Sequence, residues 1–241
     1  MTRLRTLLAL AVAACVATPP VEPTPPAATA SSEAPRMRSA RTDGACPSEF
    51  SGTCYPVWFG TNRKPLDPAD PGKGFGAETD ERIHFGKRIV RIPSSHRTGE
   101  LGSPLWRRVL LQIDDRISVD PAITMPRDAF ERDVRQFLAG LDASDRNVLV
   151  YIHGFNTSFD DAARRAAQLG FDLKVPGMTV LYSWPSRGSV SAYVADLSAI
   201  EASEAQIADF LIAVSALADR GKVHIIAHSM GNRGLLRALH R

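Results

Sequence analysis

Apolar positions along the chain follow one rule before residue 120 and another after it. The first part carries β-like runs at Tyr55–Gly60, Arg82–Pro93 (Ile83, Phe85, Ile89, Val90 and Ile92) and Val109–Val119. A Pro/Gly/Asp-rich loop, Lys64 to Gly76, separates the first two and predicts an antiparallel start to a sheet. Its Gly74-Phe75-Gly76 is no phosphate cradle, because no Lys-Ser/Thr follows and no buried strand precedes it. Helical spacing then begins. Phe130, Val134, Phe137, Leu138 and Leu141 predict a helix over Pro126–Leu141, with proline suited to its first turn.

From there strand and helix patterns alternate. Val148–Ile152 is a continuous apolar run, as expected of a parallel strand covered on both faces. A helix is predicted over Phe159–Leu173, opened by a Ser158-x-x-Asp161 cap. Thr179–Trp184 reads as the next strand. Ser198-x-x-Glu201 reads as the start of a helix carrying Ile200, Ile207, Phe210, Leu211, Val214 and Leu217, ended by Gly221. The last strand, through Val223, Ile225 and Ile226, stops at His228-Ser229-Met230-Gly231, and a helix with Leu235, Leu236 and Leu239 follows. The predicted class is α/β with a mostly parallel sheet.

Candidate chemistry sits where those strands end. A serine on a tight strand-to-helix turn presents its hydroxyl above a helix N-terminus, the arrangement of a nucleophile elbow. Ser229 has Gly231 two residues after it, while Ala227 stands where a glycine is usual two residues before. Ile152-His153-Gly154-Phe155-Asn156 ends an earlier strand. Open parallel sheets bind ligands at that edge, and acyl transfer needs two N–H donors aimed at an oxyanion. Met230 N–H and Phe155 N–H are the candidates.

His153-Gly154-Phe155-Asn156, Tyr182-Ser183-Trp184-Pro185-Ser186, Tyr193-x-x-Asp196 and Ala227-His228-Ser229-Met230-Gly231-Asn232 together resemble a bacterial alpha/beta-hydrolase subgroup, esterase/lipase-like and of unknown function. Gly60-Thr61-Asn62-Arg63 is similar to that subgroup's opening Thr-x-Arg segment. The resemblance covers about residues 55–241 and the N-terminal part of the family's domain. It implies an alpha/beta-hydrolase fold, Ser229 as nucleophile, Phe155 and Met230 as oxyanion donors, and a small ester or acyl substrate. In this fold the acid and the histidine follow the serine. Residues 230–241 hold no Asp or Glu and one histidine, His240. The expectation is therefore a domain truncated after the elbow and inactive in this form, or a non-catalytic pseudohydrolase that binds a lipid or protein partner.

His153, Asn156, Trp184 and Tyr193 are possible pocket residues. The two aromatics serve equally well as packing, and His153 is a surrogate base only if something orients it. His224 is expected inside the sheet, and Asp196 with Glu201 as a helix-start pair. No cofactor or metal is implied.

Composition changes the picture mainly at the N-terminus. Hydrophobic residues make up 44% and charged residues 23%, ordinary for a globular chain. The net charge of +3 includes Arg3 and Arg5, so nothing points to a nucleic-acid partner. Residues 1–14 read as an export signal, too short to span a bilayer, and Val12-Ala13-Ala14-Cys15 resembles a lipobox with Cys15 lipidated. The other reading is an ordinary signal peptide with an incidental cysteine, giving a soluble periplasmic or secreted protein. Residues 15–45, rich in Pro and Ala, read as a flexible tether and residues 46–241 as the partial domain. A bacterial envelope location, anchored by lipid, is expected. Cys46 and Cys54 are then a disulfide pair, with free thiols or a metal as alternatives. Oligomeric state is not legible.

Overall fold

A computed structural model describes residues 46–102, 116–219 and 221–241. The expected export signal, the tether with Cys15, and all but the end of the strand expected at Val109–Val119 lie outside the described residues.

Two long strands, β1 (Gly52–Pro65) and β2 (Phe75–Pro93), form an antiparallel hairpin. Both run further than their apolar cores suggest, into the segment expected as loop. There Arg63 pairs with Thr79 and Pro65 with Phe75, across register shifts on both sides of Arg63. Two short strands, β3 (Ser118–Val119) and β4 (Ile123–Met125), add to β2 antiparallel. The other strands are β5 (Asn147–Ile152), β6 (Gly177–Ser183) and β7 (Val223–Ala227). The sheet order is β3-β2-β1-β6-β5-β7, with β4 also on β2. The β1–β6, β6–β5 and β5–β7 pairs are parallel. The fold is α/β with a mixed, largely parallel sheet.

Five helices are described: α1 (Arg127–Ala139), α2 (Phe159–Leu173), α3 (Tyr193–Ala202), α4 (Glu204–Ala218) and α5 (Met230–Leu239). Side-chain alternation along the strands divides the core. Val148, Val150, Ile152, Val180 and Tyr182 face α1, α3, α4 and α5. Tyr151 and Leu181 face α2, whose inner surface is Phe159, Ala162, Ala163, Ala166 and Ala167. These small residues bring α2 close to the sheet. Ser158 caps α2 by accepting the Asp161 N–H at 3.1 Å.

Three sequence expectations change. The single helix expected from Ser198 is two helices, starting earlier, at Tyr193, and breaking at Ser203. The Ser203 hydroxyl donates to Ala199 O at 2.7 Å, a side-chain bond that competes with the helical ladder. On α5 the buried stripe is Met230, Gly231, Gly234 and Ala238, while Leu236 and Leu239 are exposed. A Cβ at Gly234 would stand 2.6 Å from Ile200 Cδ1 and 2.8 Å from Ile207 Cδ1, so close helix approach selects the smallest residue. His224 is exposed rather than inside the sheet, because β7 is an edge strand among the described residues.

Candidate active site

The chain leaves β5 through α2 to reach β6 on one side. It then crosses back through α3 and α4 to reach β7 on the other side of β5. The strand order therefore reverses at β5, and the crevice between the C-terminal ends of β5 and β7 is where such sheets bind ligands. Ile152 pairs with Ala227 at the end of both strands, and His228 N–H donates to Ile152 O at 2.9 Å. The two loops that leave this point are His153-Gly154-Phe155 and His228-Ser229-Met230.

Ser229 is exposed at φ 50°, ψ −119°, a strained conformation for a residue with a Cβ. It links β7 directly to α5, whose first residue is Met230. Glycines let the two loops meet. A Cβ at Gly154 would come within 2.6 Å of His228 Nδ1, 2.9 Å of His228 O and 3.1 Å of Ser229 Cβ. A Cβ at Gly231 would overlap the carbonyl oxygens of His153 and Ile152. Met230 N–H opens α5 and has no intrahelical acceptor. Phe155 N–H has no protein acceptor among the described residues. The loops thus bring Gly154 against Ser229, and each of the two free donors belongs to the next residue along its loop.

His153 does not line that crevice. It is 0% exposed and stacks on Trp184 with centroids 4.9 Å apart. Its Nδ1 lies 2.8 Å from Gly154 O, and its Nε2 lies 3.1 Å from Trp184 O and 3.2 Å from the Ser183 hydroxyl, so both ring nitrogens have partners below the site. Burial, then the Arg63 charge, pushes its pKa down to about 3, so the ring is neutral. Trp184 is equally buried and donates Nε1–H to His153 O at 2.7 Å. Both residues support the floor of the site, against the expectation that they line it. Tyr193 is exposed and meets the Phe155 ring edge-on at 5.2 Å, beside exposed Val190 and Val194. Asn156, at φ 56°, is exposed on the same loop. No histidine among the described residues hydrogen-bonds to Ser229.

Beneath the site lies a polar layer that joins residues of separate resemblance motifs, Thr61-Asn62-Arg63, Ser183, Ser186 and Asp196, to which the sequence assigned no role in the site. Thr61, Asn62 and Arg63 at the end of β1 are all buried. Thr61 Oγ1–H donates to Ser183 O at 2.6 Å, and Asn62 joins the Ser203 hydroxyl to the Tyr182 hydroxyl. Arg63 donates to Ser183 Oγ, Gly76 O, Ser186 O and Thr157 O at 2.8–2.9 Å. Asp196, also buried, accepts from the Ser186 hydroxyl at 2.5 Å and from Arg187 N–H at 2.8 Å. The available signal was the polar run Thr61-Asn62-Arg63 directly after the buried strand Val57–Gly60.

The structure joins Cys46 and Cys54 in a disulfide, Cα atoms 5.6 Å apart. No cluster of three His, Cys, Asp or Glu side chains suited to a metal occurs among the described residues. A cleft of about 670 Å³ lies elsewhere on the protein, lined by Ile83, Phe85, Met125, Arg127, Gln206 and Asp209, and contains none of the residues around Ser229.

No curated protein and no solved structure matches the chain. A sequence family does, over helices α1 to α5 and strands β5 to β7, the part that builds the crevice. Residues 127–241 match the model of a family described as alpha/beta hydrolase of unknown function (DUF900).

Proposed function

We propose that the protein is a serine hydrolase of the esterase or lipase type, with Ser229 as nucleophile. The observation that carries this reading is the strained Ser229 turn between β7 and α5, packed against Gly154 and flanked by two unpaired N–H groups. In the proposed reaction Ser229 Oγ attacks an ester carbonyl carbon. The oxygen that gains the negative charge accepts from Phe155 N–H and Met230 N–H. The alcohol departs with a proton, and water then releases the acid from the acyl-serine. The exposed Tyr193, Val190 and Val194 beside Phe155 favour a small substrate with an apolar acyl or alcohol group over a charged one. The base that takes the Ser229 proton is not His153, whose nitrogens are both engaged below the site.

The absence of a histidine bonded to Ser229 among the described residues favours a second reading, a non-catalytic pseudohydrolase that binds a lipid or protein partner. One experiment separates the two. Protein expressed from its full reading frame should hydrolyse short aryl esters, and Ser229→Ala should remove most of that rate. A Ser229→Ala variant with full activity overturns the elbow assignment. Failure of the wild type both to hydrolyse and to label with a fluorophosphonate selects the pseudohydrolase. We further propose a lipid anchor at Cys15 and an envelope location, supported by Val12-Ala13-Ala14-Cys15. Cys15→Ala should move the protein from the membrane fraction to the soluble one, and unchanged partitioning refutes the anchor.

A further inference from the structure

The loop that carries Phe155 is pinned on nearly every side. Thr157 Oγ1–H donates to Phe155 O at 3.1 Å. Asn156 N–H points to Asp196 Oδ2 at 3.4 Å, and Thr157 N–H donates to Ser186 Oγ at 3.0 Å. Thr157 O accepts from Arg63. Asn156 holds the left-handed conformation that lets successive peptide groups face these different partners. Phe155 N–H alone in this series is left without an acceptor, one residue after Gly154, which packs against Ser229.

Apart from the local Thr157–Phe155 bond, these restraints converge on two buried charges of opposite sign that do not touch. Arg63 is 1% exposed and Asp196 is 0% exposed. Ser186 joins them: its carbonyl accepts from Arg63 and its hydroxyl donates to Asp196. The register shifts that flank Arg63 in β1 are the bulged geometry that re-aims a side chain beside a site. Its guanidinium reaches three separate segments, at Gly76, Thr157 and Ser186. Burial pulls its pKa down to about 9 against the opposing pull of Asp196, so it remains a cation at neutral pH. A lysine offers one point charge and cannot reproduce that planar fork.

We propose that Arg63, Ser186 and Asp196 form a buried clamp whose task is to position Phe155 N–H as an oxyanion donor. None of the three touches the reacting atoms, so they are positioning residues. The inference rests on the proposed hydrolase reading. Loss of an oxyanion donor lowers kcat by about 10²–10³-fold, and misplacing one by ~1 Å costs about 10²-fold. A loosened clamp should therefore act on kcat and leave ground-state binding nearly intact.

The test uses protein expressed from its full reading frame, with Ser186→Ala, Asp196→Asn and Arg63→Lys. Ser186→Ala removes one hydroxyl and is the variant with least risk to folding. Each folded variant should lose about 10–100-fold in kcat, with KM changed less than about threefold. Active-site titration with a fluorophosphonate should still reach one label per chain, more slowly. Affinity for a trifluoromethyl ketone, which forms a tetrahedral oxyanion on serine, should fall in parallel with kcat/KM. If Ser229→Ala abolishes activity while Ser186→Ala and Asp196→Asn keep kcat within twofold, the clamp is overturned and the hydrolase reading stands. If activity falls only in proportion to the titratable site concentration, the residues are purely structural and the clamp is again overturned. If Ser229→Ala retains activity, the hydrolase reading fails first.

Discussion

His153 makes the protein's stability depend on pH in a window that opens above the carboxylate range. In the native state the ring is neutral down to about pH 3, held there by burial and by Arg63, with His228 adding a smaller push in the same direction. In the unfolded chain a histidine titrates near 6.5. Between these values the unfolded state binds a proton that the native state does not, so stability is full above pH 6.5 and falls as pH drops toward 3. At pH 5 the unfolded histidine is protonated in about thirty molecules for each neutral one, which lowers the folding free energy by ~2 kcal/mol relative to pH 8. Domain stabilities are about 5–15 kcal/mol, so the loss is measurable. Urea unfolding of the wild type and of His153→Phe, from pH 8 to pH 5, provides the assay. Phenylalanine keeps a ring on Trp184, and whatever it costs in hydrogen bonds is the same at every pH. Burial raises the pKa values of Asp80 and Asp172, but hydrogen bonds from His84 and Arg82 N–H to Asp80, and from Gly99 N–H, His96 and Gln168 to Asp172, pull both below the ordinary value. These two carboxylates contribute stability that is present above the carboxylate range and lost below it. They act equally in both proteins. The wild type should lose about 2 kcal/mol more than the variant between pH 8 and 5. Parallel curves, or a larger loss in the variant, would refute a neutral buried His153.

Two further outcomes follow from local geometry. Gly231→Ala places a methyl group against the backbone oxygens of His153 and Ile152, which cannot swing aside. It should lower the melting temperature by several degrees and block labelling of Ser229, and a variant that melts and labels like the wild type contradicts the close approach. Reducing the Cys46–Cys54 disulfide, which spans 8 positions, should cost ~2–3 kcal/mol by the chain-entropy model. Identical urea midpoints with and without reductant would show that the bridge adds no stability.

What was legible in the sequence is what local chemistry encodes. The Ser229 turn, the His153-Gly154 loop and the limits of α2 rest on neighbouring residues: glycines where backbones meet, a serine cap, an apolar period. Long-range packing erased other signals. On α5 the largest apolar residues, Leu236 and Leu239, mark the helix in the sequence but point outward. The inner stripe is Gly231, Gly234 and Ala238, because the helix crosses Ile200 and Ile207 at close range. The pairing within the polar layer, though not its residues, was hidden for a similar reason. Arg63 finds Ser186 and Thr157 across 123 and 94 residues of chain, and no periodicity spans that distance. A buried guanidinium without a direct carboxylate partner is costly to desolvate. Every consistent packing choice elsewhere in the sheet argues against placing one there. Residues that break the local rules in this way concentrate where geometry must be held for chemistry. Arg63 and Asp196, both buried beneath the site, therefore point to the same loop that packs against Ser229.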